Sequence, residues 1–389
     1  MSKLRFLTAG ESHGKGLIAI IEGLPAGVPI TESYIKEQLA RRQRGYGRGK
    51  RQEIETDFAE IMSGVRYGKS IGSPISLWIK NADRKNANWN HRMAIDSVED
   101  PEPVMTTPRP GHADLVGTQK YNFNDIRPVL ERASARETTA RVAAGAIAKS
   151  LLDLLNIKFV SRVLSIGDII DDSTKIIWED IDKSPVHVNS KKIEKLMIDE
   201  IDKAKELHDT LGGVFEVRAI GSPIGLGSYS QWNTRLDGLI AQAMLSINAV
   251  KGVEIGDAWL AASSKGSEVQ DIIKPKAKWN KMPWSRETNH AGGIEGGISN
   301  GQDIVVRAAI KPISTVTQKL PTADLASGKE ATSFYERSDT CVVPSAAVIG
   351  EAMLALVLAQ EALLKFGGDS AEEFIRNYDG YCASIGIKK

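Results

Sequence analysis

The stretch ARETTARVAAGAIAKSLLDLL, residues 135–155, reads as one long helix, and its composition decides how the rest of the chain is arranged. Alanine and Gly145 crowd its middle, and small side chains along a helix imply close packing against other elements. A second long helix is expected over residues 344–365, with Pro344 near its first turn and Gly367-Gly368 as its stop. Its apolar run, residues 346–364, is broken by Glu351, Gln360 and Glu361 and reads as a buried core helix, not a membrane span. Around these two, strands are expected at 17–22, 59–65, 75–80, 157–166, 214–220, 253–262 and 303–310. Further helices are expected from Thr31 or Ser33 to Arg42, at 190–211 with a serine cap, and at 236–247. Strands and helices do not alternate strictly, so a doubly wound parallel sheet is disfavoured and a layered α+β architecture is expected. Residues 81–107 have no clear period and read as a long ordered loop. No low-complexity linker divides the sequence, so residues 1–389 are expected to form a single domain.

The formal net charge of +1 argues against a general nucleic-acid binder, so the positive charge that is present must act locally. Cys341 and Cys382 form no CxxC pair, and no HxxxH or HExxH spacing occurs, which makes a disulfide framework or a metal site poor readings. Residues 1–7 lack the apolar run of a signal peptide, and a cytoplasmic location is the expectation. The scattered tryptophans, at positions 78, 89, 178, 232, 259, 279 and 284, read mostly as core or interface packing rather than a base-stacking platform.

Chemistry concentrates in a few loops. His13 lies in Gly10-Glu11-Ser12-His13-Gly14 and His112 in Arg109-Pro110-Gly111-His112-Ala113-Asp114. Imidazoles on tight turns can trade protons near neutral pH; as exposed turn residues they would be inert. Between them, residues 41–51 hold six cations and three glycines in eleven positions. A solvated helix end would not need those glycines, whereas a clamp for carboxylates and phosphate would, with Arg42, Arg48 and Arg51 converging and Arg109 and Arg136 as further candidates. The glycine-rich run 289–301 could bring backbone amides to a phosphate or a flat ring, but it is neither a dinucleotide fingerprint nor a Walker loop. Lys311 to Thr315 supplies a cation and two hydroxyls after a strand. Asp339 reads either as a helix cap or as a proton-handling carboxylate beside Arg337. Glu131-Arg132-Ala133-Ser134 and Glu336-Arg337-Ser338-Asp339 each precede a long helix of small residues, an echo that leaves chance and duplication equally open.

Taken in order, these segments closely resemble the chorismate synthase family over nearly the whole chain, together with Arg48-Gly49-Lys50-Arg51, Glu55-Thr56-Asp57, Ser63-Gly64-Val65, Ala135-Arg136-Glu137-Thr138 and residues 249–256. The resemblance implies an anti-1,4-elimination of phosphate from 5-enolpyruvylshikimate 3-phosphate to give chorismate, the last step of the shikimate pathway. The reaction requires reduced FMN without net redox change. It implies that Ser12, Arg42, Arg48, Arg51, Arg109, Arg136 and Arg337 hold the substrate. Arg132, Ala133, Ser134, Asn248, Ala249, Gly296, Lys311, Pro312, Ile313, Ser314, Thr315 and Arg337 line the flavin site. His13 protonates the departing phosphate, His112 manages the charge of the reduced flavin, and Asp339 assists proton removal through flavin N5. A β-α-β sandwich with helices between antiparallel sheets and a homotetramer are implied as well. Lys69-Ser70-Ile71-Gly72 stands where the family often has threonines, and Ser338 where many members have histidine, which removes any extra histidine role there.

Two other classes compete. A flavin-dependent oxidoreductase would need a nicotinamide fingerprint that the sequence lacks, and an RNA binder would need stacking motifs and a basic total charge. Some family members reduce their own FMN with NADPH. No additional domain is recognisable here, so an external flavin reductase is the expected partner and NADPH an indirect reductant.

Overall fold

The protein was analysed as a computed structural model that describes residues 4–49, 56–82, 87–275, 284–318, 320–334, 336 and 338–387. Arg51 and Arg337, both expected at the site, lie outside the described residues.

Two antiparallel sheets enclose the core. The first contains β1 (Arg5–Gly10), β2 (Gly16–Glu22), β3 (Ala59–Ile61) and β4 (Ile75–Lys80), in the order β1-β2-β4-β3. Opposing β2 and β4 with Leu17 on Ile79, Ala19 on Leu77 and Ile21 on Ile75 puts all six of these side chains on the buried face. The second contains β5 (Lys158–Ile166), β6 (Ile169–Ile170), β7 (Gly213–Ile220), β8 (Val250–Ile255) and β9 (Ile304–Ile310), in the order β8-β9-β7-β5-β6.

The helices are α1 (Glu32–Gln43), α2 (Ala87–Arg92), α3 (Asp114–Tyr121), α4 (Arg127–Ala133), α5 (Thr138–Asp153), α6 (Lys191–Glu206), α7 (Leu236–Leu245), α8 (Val343–Phe366) and α9 (Ala371–Ser384). Helix α5 lies on β2 of the first sheet, α8 lies on β7 and β5 of the second, and α5 and α8 pack on each other. This is the expected sandwich with helices between antiparallel sheets. The small residues explain how it closes: a Cβ on Gly145 of α5 would fall on Ala352 of α8, and a Cβ on Gly350 would lie 2.8 Å from both Phe215 and Val217 of β7. Helix α8 is long and apolar enough to cross a membrane, but 83% of its apolar window is buried between the sheets, as expected for a core helix.

Several boundaries differ from the sequence reading. The strand expected at 59–65 is cut after Ile61, and Gly64, at φ +81, turns the chain where a Cβ would meet Pro74 and Ile75. The segment expected as a strand over 253–262 ends at Ile255. Gly256, at φ +61, then leads into a short helix, Ala258–Ala262. Residues 135–137 form a 3₁₀ turn before α5, because the Ser134 hydroxyl accepts from the Arg136 amide. The long loop after Asn81 contains α2, while β1 and α9 went unread. Trp232, Trp259 and Trp284 are exposed on this chain rather than packed in its core.

Candidate active site

The N-terminal ends of α5 and α8 open onto one cavity of about 1480 Å³, whose walls include Thr138 of α5 and Ser345 of α8. Helix N-termini present unsatisfied N–H groups and a partial positive charge, so two of them facing one space favour anions there. The volume exceeds the roughly 300–1,000 Å³ usual for one small ligand and leaves room for two.

His13 lines this cavity and is buried. Its loop is pinned from two sides. Glu131 on α4 accepts from the His13 backbone N–H at 2.7 Å, and its Oε1 lies 2.9 Å from His13 Nδ1. The Asn81 amide donates to the carbonyls of Glu11, Ser12 and Gly14. A carboxylate can only accept, so Nδ1 carries the proton and Nε2 is the nitrogen that can exchange one. Burial alone would raise the Glu131 carboxyl, but hydrogen bonds from His13 and the charges of His13 and Arg127 hold it below its ordinary value. The imidazole also stacks on Trp89 of α2, with centroids 3.7 Å apart and the planes 9° from parallel.

His112 repeats the arrangement on the same cavity. Its Nδ1 lies 2.5 Å from Asp114 Oδ1, and the buried Asp114 is also gripped by Arg109 through Nε at 2.8 Å and Nη2 at 3.1 Å. Burial opposes ionisation of Asp114, but hydrogen bonds from His112 and Arg109 and their charges outweigh it and carry the carboxyl far below the usual range. Arg109 donates through Nη1 to Thr315 at 2.8 Å and lies over the Phe334 ring, so this guanidinium is already engaged by protein partners.

The cationic wall is built from α1 and the loop after it. The Thr31 side chain caps α1 by accepting from the Tyr34 amide, and the last turn delivers Arg41 and Arg42. Arg42 is buried and donates to Thr138 at 2.9 Å and to the Ala135 carbonyl at 3.1 Å. Arg136 holds Asp57 through Nη1 at 2.7 and 2.9 Å. Arg48 donates to Ser345, and its Nε lies 3.1 Å from Asp339, whose Oδ1 accepts the Gly49 amide at 2.6 Å. Among the described residues, three guanidinium groups therefore share two carboxylates. Burial, then the neighbouring charges of Arg48 and Arg136, push Arg42 down to about 10 despite Asp57 and Asp339. Positive charge is in excess here, and an anion would relieve it.

The cavity wall also carries Asn248, Ala249 and Lys311 to Thr315 without Pro312. Asn248 donates to the Ala133 carbonyl at 3.0 Å, while its Oδ1 is buried with no hydrogen-bond partner among the described residues. Ala249 stands at φ +66, a left-handed conformation that costs energy for a residue with a Cβ. Lys311 donates to Ser314 at 2.7 Å; burial and the charge of Lys251 lower its pKa.

Comparison with known proteins decides which family carries this site. The chorismate synthase family model matches residues 4–363. The chain belongs to the chorismate synthase family. It is 50% identical to the chorismate synthase of Acidobacterium capsulatum, covering 98% of this chain and 99% of that protein. It is 49% identical to that of Rubrobacter xylanophilus, covering 98% and 97%. A solved crystal structure of a chorismate synthase superposes with a TM-score of 0.80 at 42% identity over 99% of both chains. As a chorismate synthase it is a carbon–oxygen lyase of the shikimate pathway.

Of the residues expected from the sequence, Ser12, His13, Arg42, Arg48, Arg109, His112, Ala133, Ser134, Arg136, Asn248, Ala249, Lys311, Ile313, Ser314, Thr315 and Asp339 line the one cavity. Three do not. Arg132 points away and donates to Thr8 and to the Gly10 carbonyl, Gly296 is exposed on a two-strand hairpin, and Pro312 is turned outward. The sequence reading missed the groups that hold the candidates in place: Glu131, Asp114, Asp57, Asn81 and Trp89. The carboxylates of the first three stood inside motifs already quoted, but only Asp114, two residues from His112, carried a local signal. Trp89 was grouped with packing residues, yet it is a wall of the site.

Proposed function

We propose that this protein converts 5-enolpyruvylshikimate 3-phosphate to chorismate and phosphate by anti-1,4-elimination, with reduced FMN bound in the same cavity. One observation carries the reading. Two imidazoles, each with Nδ1 held by a buried carboxylate, share a single cavity with an arginine cluster in excess of its counter-ions. A substrate with two carboxylates and a phosphate matches that excess, and its reaction breaks the C3–O bond and removes a C6 proton.

In this reading Arg42, Arg48 and Arg136, with Ser12 and the N-termini of α5 and α8, hold the substrate anions. Arg51 and Arg337 act with them. Arg109 adds its charge to the wall while fixing Asp114 and His112. His13 delivers a proton from Nε2 to the departing phosphate, and Glu131 stabilises the imidazolium that does so. Asp339 takes part in moving the C6 proton. The flavin fits the remaining wall: the buried Asn248 Oδ1 lacks a donor that an N–H of the ring would supply, and Lys311 with Ser314 and Thr315 suits its negative charge. Ala133, Ser134, Ala249 and Ile313 complete that wall, whereas Arg132, Pro312 and Gly296 lie off it in this chain. His112 balances the charge of the reduced ring. When bound, reduced FMN supplies electron density transiently, and the family requires it although nothing is oxidised overall. We further propose a cytoplasmic homotetramer that receives reduced FMN from an external, NADPH-dependent flavin reductase.

Anaerobic turnover with reduced FMN, with and without NADPH, tests this. Phosphate release with no net consumption of reduced FMN is expected, and none with oxidised FMN alone. Replacing His13 or His112 by alanine should lower turnover by roughly two to four orders of magnitude. Near-wild-type turnover in both variants, or stoichiometric hydride consumption, would overturn the reading.

A further inference from the structure

The His13 ring has an edge and a face, and different groups meet each. The Nδ1 edge is taken by Glu131. The face is taken by Trp89, near parallel and at van der Waals distance, and Trp89 is itself only 8% exposed. Two further cations adjoin the indole: Arg92 and Arg127, with Cζ at 5.3 and 5.5 Å from its centroid. Neither leaves a bare positive charge beside the histidine, because Arg92 pairs with Glu102 at 2.6 Å and Arg127 with Glu336 at 2.8 Å and Glu131 at 3.3 Å. The stack fixes the tilt of the ring plane, which hydrogen bonding through Nδ1 does not set by itself.

We propose that Trp89 is a positioning residue for His13, holding the imidazole plane through face-to-face stacking. This rests on the reading of His13 as the proton donor. It adds that the donor is set by an aromatic wall as well as by a carboxylate, and that the helix Ala87–Arg92 belongs to the catalytic apparatus.

The test uses the full-length protein with selectively labelled histidine. Only six histidines are present, and loss of a signal in His13→Asn assigns the resonance of interest. In the wild type the His13 ring protons should be shifted upfield by the Trp89 ring current. In Trp89→Leu that shift should vanish. With it, kcat should drop by about tenfold to a hundredfold, with KM moving less than about threefold. Trp89→Phe, which keeps a flat but weaker ring, should lie between the two. An unshifted His13 signal in the wild type, or an unchanged kcat in folded Trp89→Leu, would overturn the proposal. Failure of the His13 reading is distinguishable: His13→Ala would then turn over normally while the ring-current result stood.

Discussion

Replacing Glu131 by glutamine tests the link between fold and chemistry most directly. The side chain is 1% exposed, and its two oxygens serve three donors: the His13 backbone N–H at 2.7 Å, His13 Nδ1 at 2.9 Å and Arg127 at 3.3 Å. Glutamine keeps the shape but offers one acceptor and a new NH₂ donor, so one donor must face another. The imidazole can relieve this by moving its proton to Nε2 and accepting at Nδ1, which is the wrong tautomer for delivering a proton as an imidazolium. Unit charges about 4 Å apart at an effective dielectric near 20 interact by about 4 kcal/mol. At about 1.36 kcal/mol per tenfold in rate, losing that stabilisation of the imidazolium costs at most about a thousandfold. Arg127, still paired with Glu336, moderates the effect. Turnover should therefore fall by about two to three orders of magnitude. Stability should fall by about 1–3 kcal/mol for the mismatched buried donor. Anaerobic phosphate release, with urea unfolding of the same samples, measures both. Turnover within about threefold of wild type would refute the argument that Glu131 governs His13.

Two further outcomes concern the scaffold. Glu351, fully buried in α8, accepts from Arg41 at 2.7 and 2.8 Å, from Lys149 at 2.6 Å and from Ser161 at 2.6 Å. Burial would raise its carboxyl, but Arg41 and Lys149 carry it well below the ordinary 4.5, so its stabilisation is complete above that pH and is lost as pH falls toward the folded value. Glu351→Gln should cost about 3–5 kcal/mol at pH 7 by stranding Lys149 and Arg41, with the difference from wild type shrinking below about pH 4.5 in urea titrations; a difference under about 1 kcal/mol at neutral pH would refute this. Gly145→Ala should lower the melting temperature even though alanine gains about 1 kcal/mol of helix propensity, because the methyl group collides with Ala352 and overpacking costs about 1–3 kcal/mol. A higher melting temperature would show that α5 and α8 are not in contact at that point.

What could be read from the sequence followed the physics of each signal. The central helices were legible because alanine, glycine and a sustained apolar run mark close packing over many residues. The histidines and arginines of the site were legible because glycine-flanked imidazoles and a glycine-spaced cation run fit few structural purposes. Strand β1 was not legible: its burial alternates, but Phe6, Thr8 and Gly10 fill the half-buried positions and Arg5, Leu7 and Ala9 the exposed ones, so the sequence shows no apolar–polar alternation. Helix α9 lay beyond Gly367-Gly368, which ended α8 convincingly, and only its Ser370 cap announced it. Asp57 and Glu131 were visible as letters but not as partners, because pairings across 79 and 118 positions have no local signature, whereas Asp114 stands only two residues from His112. Arg132 is the reverse case: its place in a motif suggested a ligand contact, and its side chain instead ties α4 to the carbonyls of β1.

These pairings explain why the site sits where it does. An arginine cluster in excess of its counter-ions repels itself, and the repulsion is tolerable only if rigid elements hold each member. Arg42 is fixed by the end of α1 and the start of α5, Arg136 by Asp57 and Asn81, and Arg48 by Ser345 and Asp339 at the start of α8. The same contacts that restrain the charges aim them at one volume, so little reorganisation remains when an anion enters. The glycine and alanine seam between α5 and α8 therefore bears on function as well as stability. It sets the spacing of the two helix N-termini, and with it the distance across which the arginines and histidines face one another.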